Sequence, residues 1–203
     1  MCARRRSAGF SLIEVVVFIV VLGIAFVGML VLYNRVTSAS VDPMVRKQAL
    51  AIASSLLEEI ELHAFTYCDP DDPNVYAANN TGDCDPTKIE NPGPETFNPP
   101  GNETRYSTTA RFDNVNDYNG FQMGFGKADP DIKTAAGTAI SELASYSVSV
   151  TVEQILANEL RSDALVDVPI TDGLRITVTA IHVPTGITTS LQGYRVRYAP
   201  QSP

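Results

Sequence analysis

An uninterrupted apolar run constrains this chain more than any other stretch. Val15 to Leu32 is 18 residues without a charge. As a helix rising 1.5 Å per residue, it nearly crosses a hydrocarbon core of about 30 Å. One carboxylate, Glu14, stands at its start. A charge at the centre of such a helix costs about 2.5 to 3.5 kcal/mol on insertion scales, and less near its end. Glu14 therefore calls for a partner. Arg4, Arg5 and Arg6 precede the run, which predicts a cytoplasmic N-terminus with the remainder crossing outward. A Sec-type signal would place a short apolar region ahead of its small-residue cleavage site. Here Gly9 comes before the run, so a cut at Gly9 leaves the membrane helix attached.

The remaining chain suits one modest globular domain, most of it after Tyr33, with enough residues to bury a core unaided. Without Arg4, Arg5 and Arg6, 12 basic residues face 23 acidic ones, a net charge of −11. A domain that acidic is a poor general binder of nucleic acid or anionic lipid. Cys2 lies in the leader, so Cys68 and Cys84 remain. In an Asp-, Asn- and Pro-rich segment outside the membrane, such a pair reads as a disulfide made in an oxidising compartment. It would close a loop of about 17 residues, worth roughly 3 kcal/mol in the chain-entropy model. Two free thiols, or a metal pair lacking further ligands, are the alternatives.

Past Tyr33 the pattern turns amphipathic. Val45, Ala49, Ile52, Leu56, Ile60 and His63 recur at steps of three and four, widened by Ala53 and Leu57, with Lys47, Ser54, Glu58 and Glu61 opposite. This predicts a helix continuing to about Phe65, with His63 a structural residue. Residues 66–103 are turn-rich, as in Asp69-Pro70-Asp71-Asp72-Pro73 and Asn91-Pro92-Gly93-Pro94. Asp69, Asp71 and Asp72, with Asp83 and Asp85, offer carboxylates to Ca²⁺, but EF-hand spacing is absent. A solvated turn is the simpler reading, and no metal site is assigned.

Four strands are then expected. Tyr106, Thr108, Ala110 and Phe112 suggest the first, and Tyr146, Val148, Val150 and Val152 the second. Leu174, Ile176, Val178 and Ala180 suggest the third. The fourth runs from Ile187 to Tyr198, joined through Pro184-Thr185-Gly186 as a tight hairpin. Asp113 to Phe121 is too polar for a strand. The expected fold is α+β, a long N-terminal helix packed on an antiparallel sheet of about four strands.

Gly9-Phe10-Ser11-Leu12-Ile13-Glu14 resembles the class III signal of type IV pilins and type II secretion pseudopilins. The resemblance implies cleavage between Gly9 and Phe10 by a membrane prepilin peptidase, N-methylation of Phe10, and Glu14 in the place of the family's glutamate. It implies a pilin-like fold and partners of three kinds: other pilin-like subunits through residues 10–33, the peptidase, and the inner-membrane assembly machinery. Spacing adds a physical role. Glu14 lies one helical turn after Phe10, so it can neutralise the Phe10 amine of a neighbouring subunit, and a wrong register leaves a charge unpaired. On this reading residues 1–9 are a leader, 10–33 the membrane and filament-core helix, 34–65 its amphipathic continuation, 66–103 the stapled loop, and 104–203 the sheet region.

The Tyr67-Cys68-Asp69-Pro70 corner, Asp113 to Phe121, and the ending from Leu191 to Pro200 are similar to MshD-type minor pilins of mannose-sensitive haemagglutinin (MSHA) pilus systems. No phosphate loop, nucleophile elbow or zinc pattern occurs, so neither an enzyme nor a cofactor is expected. Arg175, Arg195 and Arg197 form a ligand patch or, more simply, balance acidic charge. The reading is a minor pilin. A type II minor pseudopilin is the alternative, and a tip adhesin or DNA-binding module is the alternative of another class.

Overall fold

The computed structural model describes residues 11–95, 102–156 and 169–197. The chain divides between Met44 and Val45 into two units. The helix α1, Leu12–Glu61, contributes to both. In the first unit α1 is apolar all round from Val15 to Leu32, and the large side chains from Leu12 to Tyr33 are exposed. Leu12–Arg35, 24 residues, is the one helix among the described residues long and apolar enough to cross a membrane. An all-round apolar surface suits lipid or other helices and not water.

In the second unit the amphipathic stretch of α1 buries Val45, Ala49, Ile52, Ala53, Leu56 and Ile60, while Lys47 and Glu58 face solvent. These residues share one core with Val148, Val150, Val152, Ile176, Val178 and Ala180. The second group lies on β2 (Tyr146–Leu156) and β3 (Pro169–His182). With β1 (Gln122–Gly124) and β4 (Ile187–Val196) they make an antiparallel sheet in the order β1-β2-β3-β4. Val150 pairs with Val178 and Val178 with Leu191, so the period-2 apolar sets of adjacent strands fall on one face. The result is the expected α+β arrangement. The β3–β4 hairpin turns through Val183 to Gly186, closed by the Gly186 N–H donating to the His182 carbonyl at 2.9 Å.

Three expectations need correction. The helix ends at Glu61, four residues before Phe65. The Leu62 and His63 N–H groups tighten onto the Glu59 and Ile60 carbonyls, and Ala64 then pairs with Asn114 in an isolated parallel bridge. Tyr106 to Phe112 is not a strand. Ser107 Oγ accepts from the Thr109 and Ala110 N–H groups at 3.2 and 3.0 Å, so local turn bonds outcompete the ladder. The strand beside β2 is instead Gln122–Gly124. The fourth strand ends at Val196, and Tyr198 lies outside the described residues.

Two glycines sit at close approaches. A Cβ at Gly193 of β4 would overlap Glu61 Oε1 and come within 2.9 Å of Leu57 Cδ1, so α1 rests directly on the β4 backbone. Gly124 ends β1 at φ +99°, where a Cβ would overlap the Tyr146 carbonyl and lie 2.8 Å from Ile132 Cδ1 and Ser147 Cα. Gly126, at φ +75°, has open space. Gly126→Ala should therefore cost about 1–2 kcal/mol, the left-handed backbone penalty alone. Gly124→Ala should cost clearly more, because backbone must also move. Urea unfolding of the full chain in detergent measures both, and equal costs would contradict the packing described.

Candidate functional site

Two regions carry the chemistry singled out by the sequence. The first is the start of α1. Gly9 and Phe10 lie outside the described residues. Glu14 occupies the first helical turn, where its N–H and that of Val15 donate to the Ser11 carbonyl at 3.0 and 3.2 Å. A carboxylate there meets the positive end of the helix dipole. Glu14 is exposed, and the apolar side chains following it are exposed with it. The feature is thus one acidic group at the end of a bare apolar rod.

Residues 4–30 match the prokaryotic N-terminal methylation motif. That match supports a type IV pilin or pseudopilin subunit, a structural kind of filament protein anchored in the inner membrane. It implies processing by a prepilin peptidase and assembly with other pilin-like chains. It covers residues 4–30, most of the apolar stretch, and leaves the second unit untouched. No curated protein and no solved structure matches the chain.

The second region surrounds the loop after α1. Cys68 and Cys84 are bonded to each other, Sγ–Sγ 2.03 Å, and with Val75 and Ala78 they form a small core of their own. The aspartates proposed from sequence as Ca²⁺ candidates serve this loop differently. Buried Asp69 accepts from the Asp71 N–H at 2.6 Å. Buried Asp72 accepts from the N–H groups of Asn74 and Asp85, each at 2.7 Å. Asp71 is exposed. These are turn-capping contacts of the kind Asp makes in irregular loops, although Asp69, Asp71 and Asp113 do bring carboxylate oxygens within 4.8 Å of one another.

Arg175 on β3, Arg195 on β4 and Arg197 just after it are engaged. Arg195 donates to the His63 carbonyl at 3.3 Å, and Arg175 pairs with Glu153 at 2.8 Å. The Arg197 guanidinium lies 3.6 Å above the centre of the Tyr67 ring and 4.0 Å above that of Phe65. Its Nε is 3.5 Å from Asp172 Oδ1. Aromatic faces and acids thus hold these cations, in line with charge balance and against a free ligand patch.

Sequence reading missed the polar centre of the unit. Arg105, nearly fully buried, grips Glu59 of α1 through Nε to Oε1 at 2.7 Å and Nη2 to Oε2 at 2.6 Å. Tyr118 Oη donates to Glu59 Oε1 at 2.8 Å, and His63 Nε2 lies 3.0 Å from Tyr118 Oη. With the tyrosine proton given to Glu59, His63 Nε2 is the donor in that contact. Burial acts to raise the Glu59 carboxyl, but the Arg105 guanidinium, with Tyr118 and His63, outweighs it and holds the carboxyl below its ordinary 4.5. Burial also holds His63 below 6.5. A cavity of about 330 Å³ adjoins the pair, and its charged lining residues Glu59, Arg105 and Lys133 are already paired, the last with Asp129 at 2.6 Å.

Because the Glu59 carboxyl is depressed, its ionised form stabilises the fold above about pH 4.5, and that contribution fades as pH falls. Arg105→Met should therefore cost about 3–5 kcal/mol at neutral pH by stranding a buried carboxylate. The difference from the unaltered chain should narrow below pH 4.5. Glu59→Leu combined with Arg105→Met should recover most of the loss. Denaturant unfolding across pH checks this, and a pH-independent deficit would remove the assigned role.

Proposed function

We propose that the chain is a non-catalytic filament subunit of the type IV pilin kind. It is cleaved between Gly9 and Phe10, methylated on the Phe10 amine, and drawn from the inner membrane into a filament through residues 10–33. The observation that carries this is the methylation motif over residues 4–30, continuous with a membrane-length helix whose first turn holds Glu14. Cleavage creates an ammonium at Phe10, one turn from Glu14. In the filament Glu14 neutralises the amine of the adjacent subunit, and the pair sets register because any other stagger buries an unmatched charge.

The finer assignment is a minor pilin of an MSHA-like pilus, of the MshD type, with the second unit in the periplasm before assembly. It is supported by the likeness of the 67–70 corner, the 113–121 stretch and the end of the last strand. The same N-terminal motif serves type II secretion minor pseudopilins, and neighbouring genes encoding either system would decide between them. The Cys68–Cys84 bond then forms after export, and non-reducing mass analysis should find the chain two hydrogens lighter than its thiol form.

Glu14→Val tests the register role. Membrane insertion should persist or improve, since a charge leaves the apolar segment. Recovery of the variant in sheared filaments should drop by about tenfold or more, the effect of leaving an amine unmatched in an apolar bundle. Incorporation at the normal level would refute the register role. An unchanged mass in cells lacking the peptidase would refute the filament reading.

A further inference from the structure

Four carboxylates from three stretches of loop are buried together. Glu90 and Glu95 are each 8% exposed, Glu103 4% and Asp117 0%. Oxygens of Glu90, Glu95 and Asp117 all lie within 4.8 Å of one another. Among the described residues, both Glu90 carboxylate oxygens, Glu103 Oε2 and Asp117 Oδ1 have no hydrogen-bond partner. Burying carboxyl oxygens of one sign without enough donors is strongly unfavourable, and Glu90, Glu103 and Asp117 each bring at least one such oxygen to one place.

The surrounding backbone holds them there. Asp117 Oδ2 accepts from the Asp113 and Asn114 N–H groups at 2.9 and 2.8 Å, which orients the carboxylate and leaves Oδ1 free of protein partners. The Gly93 N–H donates to the Asn116 carbonyl at 2.9 Å, and the Glu103 N–H to the Glu95 carbonyl at 3.1 Å. The Glu90 N–H donates to the Tyr67 carbonyl at 3.1 Å. Burial pushes all four carboxyls above their ordinary range, and for Glu90 and Glu95 the charge of Asp117 adds to the shift.

Among the described residues, the nearby basic side chains His63 and Arg197 form no ion pair with the four. His63 is bonded to Tyr118, and burial lowers its affinity for a proton. Arg197 lines the same cavity as Glu90 but lies against Tyr67 and Phe65 and beside Asp172. An all-oxygen donor set selects hard cations over zinc or copper. Ca²⁺ binds oxygens at about 2.3–2.6 Å, so ligands on opposite sides of one ion sit about 4.8 Å apart. Mg²⁺ keeps several waters, for which a cluster this buried has little room.

We propose that Glu90, Glu95 and Asp117, with Glu103 adjoining, form a buried site for one Ca²⁺ ion that ties the 90–95 loop to the 113–117 corner. The site is distinct from the Asp69–Asp71 candidates and stands independently of the filament reading.

The test uses the full chain in detergent micelles, stripped with EGTA and titrated with CaCl₂ by calorimetry and thermal unfolding. One ion should bind per chain. At roughly 100-fold excess over Kd, the unfolding temperature should rise by about 5–10 °C. Glu90→Gln should weaken binding by at least about tenfold. In EGTA it should also unfold at a higher temperature than the unaltered chain, because an unpaired buried charge is gone, and this shows that the variant folds. Asp71→Asn should bind normally. No response of the unaltered chain to millimolar Ca²⁺ overturns the proposal, as does loss of binding in Asp71→Asn with retention in Glu90→Gln. Destabilisation of Glu90→Gln in EGTA would make Arg197 the partner of Glu90 and equally overturn it.

Discussion

The bidentate contact between Arg105 and Glu59 is the interaction on which the second unit most depends. Glu59 belongs to the amphipathic stretch of α1, whereas Arg105 and Tyr118 come from segments with almost no regular structure. Apolar packing holds α1 to β2 and β3, but it cannot specify where irregular backbone should lie. Fixed-geometry polar contacts can. Arg105 also donates to the Lys133 carbonyl at 3.2 Å and to Tyr106 Oη at 2.8 Å, so one guanidinium ties its own loop and the Lys133 loop to α1. Its fork geometry makes lysine a poor substitute.

Periodic segments were legible in the sequence. The helical stripe from Val45 to Ile60 and the alternation of β2 and β3 each bury one face against the other, so pattern and packing carry the same information. The hairpin at 183–186 was legible because its turn chemistry is local. Tyr106 to Phe112 misled because alternation alone does not report that Ser107 satisfies the neighbouring N–H groups. The three residues of β1 are too short to show a period. The buried carboxylates were invisible for a different reason. Glu90, Glu95, Glu103 and Asp117 are scattered among many acids, and only the fold of the loops distinguishes a buried one from a solvated one.

The two units obey opposite rules. In the first, the helix from Val15 to Leu32 is apolar on every side, with a single acidic group, Glu14, at its start. In the second, apolar residues occupy one stripe, and specificity is spread over many polar contacts. The methylation motif speaks to the first unit only. The second is built from its own interactions, among them a disulfide-closed loop with a separate small core.

The seat of α1 on Gly193 has a consequence for how the molecule tolerates change. With no side chain at that point, the helix meets the strand backbone, and Gly193 itself has no slack. Thr188, Ser190, Gln192, Tyr194 and Val196 point the other way and are exposed. A single strand therefore offers drift two very different surfaces. Exposed residues along it can change to suit a new neighbour, while Gly193 keeps the helix where it is.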